Sequence, residues 1–259
     1  MQTHFSAEQL RNPDIAQADP IIKTCQHFGF CTSGCPTYII LHDENDGPRG
    51  RIDLIKEMLE SDAPPSADTV AHIDRCMSCM SCMTTCAVKV DYQHLVDIAR
   101  VHIETHYRRP LLQRLARNLL GYVLPRPALF RPALAAGRIA ARLRAVTPPP
   151  LRHLLDLVPA SPTGQARAQA LPAASLYPAQ GARQWRVALL AGCVQPVLSP
   201  HINDATIRLL TRLGCEVVVP PSSGCCGSLN LHMGKREAAE GFARQNIRAW
   251  LEEIGRAHV

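Results

Sequence analysis

Four cysteines fall within eleven residues, in the run Cys76-Met-Ser-Cys79-Met-Ser-Cys82-Met-Thr-Thr-Cys86. That density limits the fold more than any hydrophobic pattern does. The spacing C-x2-C-x2-C-x3-C is the bacterial ferredoxin run for a [4Fe–4S] cluster. Three thiolates two residues apart can wrap three irons of one cube from a tight loop. The fourth, displaced by one more residue, points away and ligates a different cluster. A zinc ribbon instead draws two C-x2-C pairs from separate knuckles a dozen or more residues apart, which this run does not match.

A second motif precedes it, Cys25-Gln-His-Phe28-Gly-Phe-Cys31-Thr-Ser-Gly-Cys35-Pro36. Its frame is the same run followed by Pro, with Phe28 at the second cysteine position. Crossing the two motifs by the two-cluster rule assigns cluster B to Cys35, Cys76, Cys79 and Cys82. Cluster A takes Cys25, Cys31 and Cys86 and lacks one thiolate. Three readings of that gap stay open: a [3Fe–4S] centre, a [4Fe–4S] cube with a labile or water-bound iron, or no cluster, with Phe28 filling the space. His27 lies beside the gap and reads more simply as a packing or solvent histidine than as a nitrogen ligand. Met77, Met80 and Met83 interleave the second run and are expected to cover the cluster. Arg49 and Arg51 open a helix and are candidates for neutralising cluster charge.

A third constellation is Cys193, then Cys225-Cys226-Gly227 after 31 intervening residues. Gly224 and Gly227 permit the tight backbone that a buried cluster or redox loop requires. Adjacent cysteines rarely serve packing alone, so metal or redox chemistry is expected here. Cys215 opens an apolar run and reads as a core thiol.

The remaining sequence divides the chain. Residues 1–104 hold seven of the eleven cysteines, and helical spacing at Ile52, Ile55, Met58 and Leu59, and again at Leu95, Ile98, Ala99 and Ile103, predicts two helices. Residues 105–183 hold no cysteine. They form a basic connector of helical pieces interrupted by Pro125, Pro127, Pro132 and the run Pro148–Pro150, with linker composition from Ala160 to Gln184. Residues 107–186 carry 13 Arg against one acid, Asp156. A segment this basic suits an acidic partner or an anionic surface. Residues 184–259 change period. WRVALLAGC and CEVVVP read as buried strands, SPHINDATIRLLTRLG as a helix, and LHMGKREAAEGFARQNIRAWLEEIG as one long helix. This order suggests a parallel α/β unit with Cys193 beyond a strand's carboxyl end. The fold class expected is therefore α+β. No apolar run reaches the roughly 18–20 residues of a spanning helix. The absence of a secretory signal at the N-terminus leads to the expectation of a cytoplasmic protein with reduced thiols.

These motifs, with DGPRGRIDLIK, LPRPALFR, LAGCVQPVLSPHINDAT and SGCCG, resemble the iron–sulfur subunits of glycolate oxidase (glycolate dehydrogenase). More broadly they are similar to the iron–sulfur subunits of anaerobic glycerol-3-phosphate dehydrogenase and heterodisulfide reductase. The resemblance implies a dicluster 4Fe-4S ferredoxin-type domain at 1–104 and the first half of a cysteine-rich CCG domain at 184–259. It implies electron relay from FAD-binding partner subunits, which oxidise glycolate to glyoxylate, to a quinone or other acceptor. FAD would sit in those partners, and no substrate-catalytic residue is expected in this chain. Peripheral contact with the inner face of the cytoplasmic membrane is also implied. Three departures stand out. Phe28 replaces a cluster cysteine, Ala87 replaces a frequent Pro, and no second CCG repeat follows, so the resemblance implies a truncated C-terminal module.

Two other functions compete. A thiol–disulfide reductase, like heterodisulfide reductase, would use the CCG site, and the lack of a second repeat weighs against it. A zinc-based nucleic-acid binder would use the basic segment, but that segment has few aromatic residues among its arginines, which argues against nucleic acid as a partner.

Overall fold

Local capping chemistry sets where the helices of the first unit begin. The computed structural model describes residues 1–142, 155, 156, 158 and 175–257. The chain divides into two units, Met1–Leu111 with Asn230–Arg236, and Leu112–Leu229 with Glu237–Val259. The first contains α1 (Pro13–Thr24), α2 (Phe30–Ser33), α3 (Pro36–Leu41), α4 (Pro48–Glu60), α5 (Ala67–Asp74), α6 (Ser81–Thr84) and α7 (Tyr92–His106). Asn12 caps α1 by accepting from the Asp14 N–H at 2.9 Å, and Ser66 caps α5 by accepting from Thr69 N–H at 3.0 Å. Pro13, Pro36 and Pro48 each occupy a first helical position, where no donor is lost.

The apolar stripes of α1, α4, α5 and α7 meet in one core built on Ile22, Ile55, Leu59, Ile73, Leu95 and Ile103. Each such side chain contributes about 1.5–3 kcal/mol on full burial. The short helices α2, α3 and α6 carry the cysteine motifs at the edge of this core. The helices expected at 48–60 and along 90–107 are thus both present, and no strand occurs among the described residues of this unit.

The second unit contains, but for the first residues of α8 and α13, α8 (Leu111–Val123), α9 (Pro127–Ala141), β1 (Ser175–Tyr177), β2 (Trp185–Ala188), α10 (Gln195–Leu198), α11 (His201–Arg212), β3 (Cys215–Val219) and α13 (Arg236–Ala257), and α12 (Ser228–His232) is divided between the units at Asn230. The sheet order is β1-β3-β2, with β2 parallel and β1 antiparallel to β3. The parallel pair and its α11 crossover agree with the α/β expectation, and α+β describes the whole chain. Cys215 is buried beside Ile207 and Val217, as a core thiol.

Four details differ from the sequence reading. Pro132 lies inside α9 rather than ending it, so packing and the flanking Ala and Leu residues outweigh one lost hydrogen bond. The stretch expected to be linker contains β1, whose three residues are too few to show a period. The strand expected from Trp185 stops at Ala188 and is only partly buried. The single C-terminal helix is two, because Gly234 takes a left-handed φ of 76° and a Cβ there would lie 2.3 Å from the Arg100 carbonyl oxygen. The Pro148–Pro150 run and most of the expected linker lie outside the described residues.

Gly50 explains why a glycine sits in the first turn of α4. A Cβ at Gly50 would lie 2.2 Å from the carbonyl oxygen of Glu44. Gly50→Ala is expected to destabilise the protein by about 1–3 kcal/mol in chemical denaturation, despite alanine's better helix propensity. An unchanged or raised midpoint would refute the close approach.

Candidate metal centre

Two open cavities lie at the ends of the cysteine loops. Cys35, Cys76, Cys79 and Cys82 line one. Cys25, Cys31 and Cys86 line the other. Each cavity therefore gathers cysteines from both motifs, in the crossed sets expected from spacing. The close packing of the two loops makes this possible. Gly34, beside Cys35, lies so near α6 that a Cβ would come within 3.0 Å of Ser81 Oγ.

Backbone strain is concentrated in these loops. Among the described residues, non-glycine positive φ occurs at His27, His42, Ser78, Met80 and Lys89. All but His42 lie within or just beyond the cysteine runs. Such residues cost about 1–3 kcal/mol and persist where the surroundings fix them, which is typical of ligand sites. Arg100 fixes one loop, donating to the Cys76 carbonyl at 2.7 Å and to Ser78 Oγ at 2.6 Å. Val90 N–H donates to Cys86 Sγ at 3.4 Å, and Tyr92 Oη donates to Cys76 Sγ at 3.6 Å.

The donor set suits an electron-rich metal cluster. As free thiols these groups crowd one another. Burial, then Cys76, Cys31, Cys35 and Cys79, push the Cys82 thiol up to about 12. Burial and the neighbours Cys25 and Cys86 raise Cys31. Thiolates so close are stable only with cations between them, which is what iron supplies. No carboxylate lines either cavity, so hard cations find no charged oxygen ligands there.

One arginine faces each cavity, Arg51 at the four-cysteine site and Arg49 at the three-cysteine site. Arg51 is 1% exposed. It donates to Asp46 at 3.3 Å, to Thr37 Oγ1 at 3.1 Å and to the His72 carbonyl at 2.8 Å. Thr37 Oγ1 lies 3.2 Å from Cys35 Sγ, so the cation is linked to a cysteine through one hydroxyl. Asp46 also meets Arg75 at 2.9 Å and His72 at 3.2 Å. Asp43, Asp46 and His72 lie close enough to suggest a cation site, but the two arginines already occupy the Asp46 carboxylate. Of the methionines expected to cover the cluster, Met77 and Met80 line the four-cysteine cavity, whereas Met83 packs against the helical core.

In the second unit Cys193, Cys225 and Cys226 come together. Burial is the main force pushing Cys225 up to about 12, with Cys193 and Cys226 adding to it. Burial also acts upward on Cys226, but hydrogen bonding by Ser228 and nearby groups outweighs it and lowers that thiol. Buried asparagines hold both loops. Asn203 donates to the Ala191 carbonyl at 3.0 Å. Asn246 accepts from Gly224 N–H and donates to the Cys225 carbonyl, both at 2.8 Å. Sequence reasoning missed Asp46, Arg100, Asn203 and Asn246. A polar residue on the apolar stripe of a helix is the one signal Asn203 and Asn246 offered.

Residues 21–90 match the 4Fe-4S dicluster domain, and residues 187–257 match the Cysteine-rich domain. The chain is 42% identical over 254 residues to the glycolate oxidase iron-sulfur subunit of Escherichia coli (strain K12), covering 98% of this chain and 58% of that protein. It is 31% identical over 268 residues to the probable glycolate oxidase iron-sulfur subunit of Bacillus subtilis (strain 168), covering 96% of this chain and 59% of that protein. A shorter match, 38% over 61 residues, links 24% of this chain to 25% of lactate utilization protein A of Exiguobacterium sp. (strain ATCC BAA-1283 / AT1b). The chain thus spans somewhat under 60% of the length of these two glycolate oxidase relatives. No solved structure matches it.

Two expectations follow. With a cluster held among Cys35, Cys76, Cys79 and Cys82, Arg51→Met is expected to lower its reduction potential by on the order of tens of millivolts, because a nearby cation favours the more negative reduced state. A redox titration that finds no shift would defeat this role. In the metal-free chain, Cys226 is expected to alkylate before Cys225, at a rate that rises with pH through a midpoint below the ordinary thiol value. Equal labelling of the two would contradict it.

Proposed function

We propose that this chain is an electron-transfer subunit of a glycolate-oxidising complex. Electrons leave glycolate in FAD-binding partner subunits, where glyoxylate forms. They pass through the clusters of this chain to a quinone or other acceptor. The observation that carries the reading is the sorting of seven cysteines from two motifs into two neighbouring cavities, one crossed set in each. The similarity, over nearly all of this chain and somewhat under 60% of each relative, to glycolate oxidase iron–sulfur subunits supports the substrate class.

In this reading cluster B is a [4Fe–4S] cube on Cys35, Cys76, Cys79 and Cys82, and cluster A rests on Cys25, Cys31 and Cys86. Bound iron–sulfur clusters supply reversible one-electron chemistry. The chain's own residues hold the thiolates, cover the inner side of the sites with the core beneath the loops, and place Arg51 and Arg49 as positive charge beside each site. The near approach of Gly34 in one cysteine loop to Ser81 in the other supports close spacing of the two sites, as a relay needs.

Partner contact is assigned to α8. Leu111, Leu112, Leu115 and Leu119 are exposed on it, alongside Arg114. A face of this kind suits an acidic partner groove or the inner face of the cytoplasmic membrane. No helix among the described residues is long and apolar enough to cross a membrane. The grouping of Cys193, Cys225 and Cys226 favours a second reading for that site alone, a thiol–disulfide redox centre or a third metal site.

The test is reconstitution of the chain with iron and sulfide, then anaerobic mixing with the FAD-binding subunits and glycolate. Cluster absorbance is expected to bleach and to recover on addition of quinone. Cys35→Ala and Cys79→Ala, from different motifs, are expected to lose the same cluster signal and most of the electron flow. Flavin reduction without cluster bleaching would reject the relay.

A further inference from the structure

The two cavities differ at one corner. At the second position of its run, the Cys76 motif has Cys79, which is exposed and lines the four-cysteine cavity. The corresponding position of the Cys25 motif is Phe28, which lines the other cavity and is 58% exposed. The corner without a thiol is therefore a solvent-facing one. Phe28 does not fill the space. Its ring turns to Phe30, with centroids 6.2 Å apart, and a cavity remains open beside Cys25, Cys31 and Cys86.

No other thiolate or carboxylate replaces the missing ligand. The lining residues supply the three thiols of Cys25, Cys31 and Cys86 and add neither a fourth thiol nor a carboxylate. The other candidate donors are the exposed Gln26 amide and His27. His27 Nε2 faces Asp53 Oδ1 at 3.6 Å, and its carbonyl accepts from Arg49 at 3.4 Å. The carbonyl contact leaves the ring free, and Nε2 is buried without a hydrogen-bond partner, so His27 is the residue whose removal tests whether the open corner is ligated.

Resting on the electron-transfer reading above, we infer that the Cys25 site holds a three-iron [3Fe–4S] centre, with Cys25, Cys31 and Cys86 each binding one iron and the corner beside Phe28 carrying none. An iron at that corner would be held only by cluster sulfides and water in an exposed position, and such an iron dissociates. The single replacement at Phe28 thereby sets the nuclearity of the site while leaving the loop and cavity intact. The centre remains a one-electron carrier, so the relay is preserved with a different cluster type at one end.

The experiment uses the full chain, reconstituted anaerobically and then oxidised, with iron and acid-labile sulfide counts and EPR of both redox states. The wild-type chain is expected to hold about seven irons, four plus three, and to show a three-iron signal in the oxidised state. Phe28→Cys is expected to raise the count to about eight irons and to abolish the oxidised-state signal. His27→Ala is expected to leave both readouts at their wild-type values. About eight irons in the wild-type chain without an oxidised-state signal would overturn the inference, since a fourth ligand would then be present. About four irons would overturn it as well, with the relay reading intact at one cluster. Zinc without sulfide would overturn both.

Discussion

The approach of two cysteine loops to van der Waals contact is the constraint on which the rest depends. Neither motif can complete a cluster alone if its fourth cysteine points away. The loops must pack so that the last cysteine of each enters the cavity of the other. Gly34 permits this, because any side chain there would press on Ser81. The left-handed residues at His27, Ser78, Met80 and Lys89 turn the loops tightly enough to converge their thiols. The helical core beneath them, from Ile22 to Ile103, supplies the stability that holds such strained backbone in place.

Asp46 links that core to the four-cysteine site. It is 1% exposed and takes contacts from Arg51, Arg75 and His72, while its backbone carbonyl accepts from Thr37. A buried charge pair of this kind adds little net stability, but losing one member is costly. Its value here is positional. It joins the turn before α4, the end of α5 and the Cys35 loop, and it keeps a guanidinium beside the thiols. The same pattern recurs in the second unit with neutral groups, where Asn203 and Asn246 hold the loops of Cys193 and Cys225.

Much of the fold and site was legible because cysteine spacing and hydrophobic period are local signals. Ile52, Ile55, Met58 and Leu59 marked α4, and the two runs foretold which thiols share a cavity. What stayed hidden depends on contacts distant in sequence. Arg100 reaches the Cys76 loop from α7, and no spacing announces that hydrogen bond. Gly234 interrupts a strongly helical text because of the Arg100 carbonyl, which only the packed structure brings near. The strand at Ser175–Tyr177 is defined by its partner Val217–Val219, not by its own residues. The outward turn of Phe28 likewise depends on Phe30 and the surface, so the sequence revealed the missing ligand but not the cavity left behind it.

The central claim is the crossed pairing of cysteines between the motifs. Crystals of the anaerobically reconstituted chain, measured at the iron absorption edge, locate the metal directly. The account predicts two separate groups of anomalous density, one among Cys35, Cys76, Cys79 and Cys82 and one among Cys25, Cys31 and Cys86. A single group enclosed by Cys76, Cys79, Cys82 and Cys86 would contradict it.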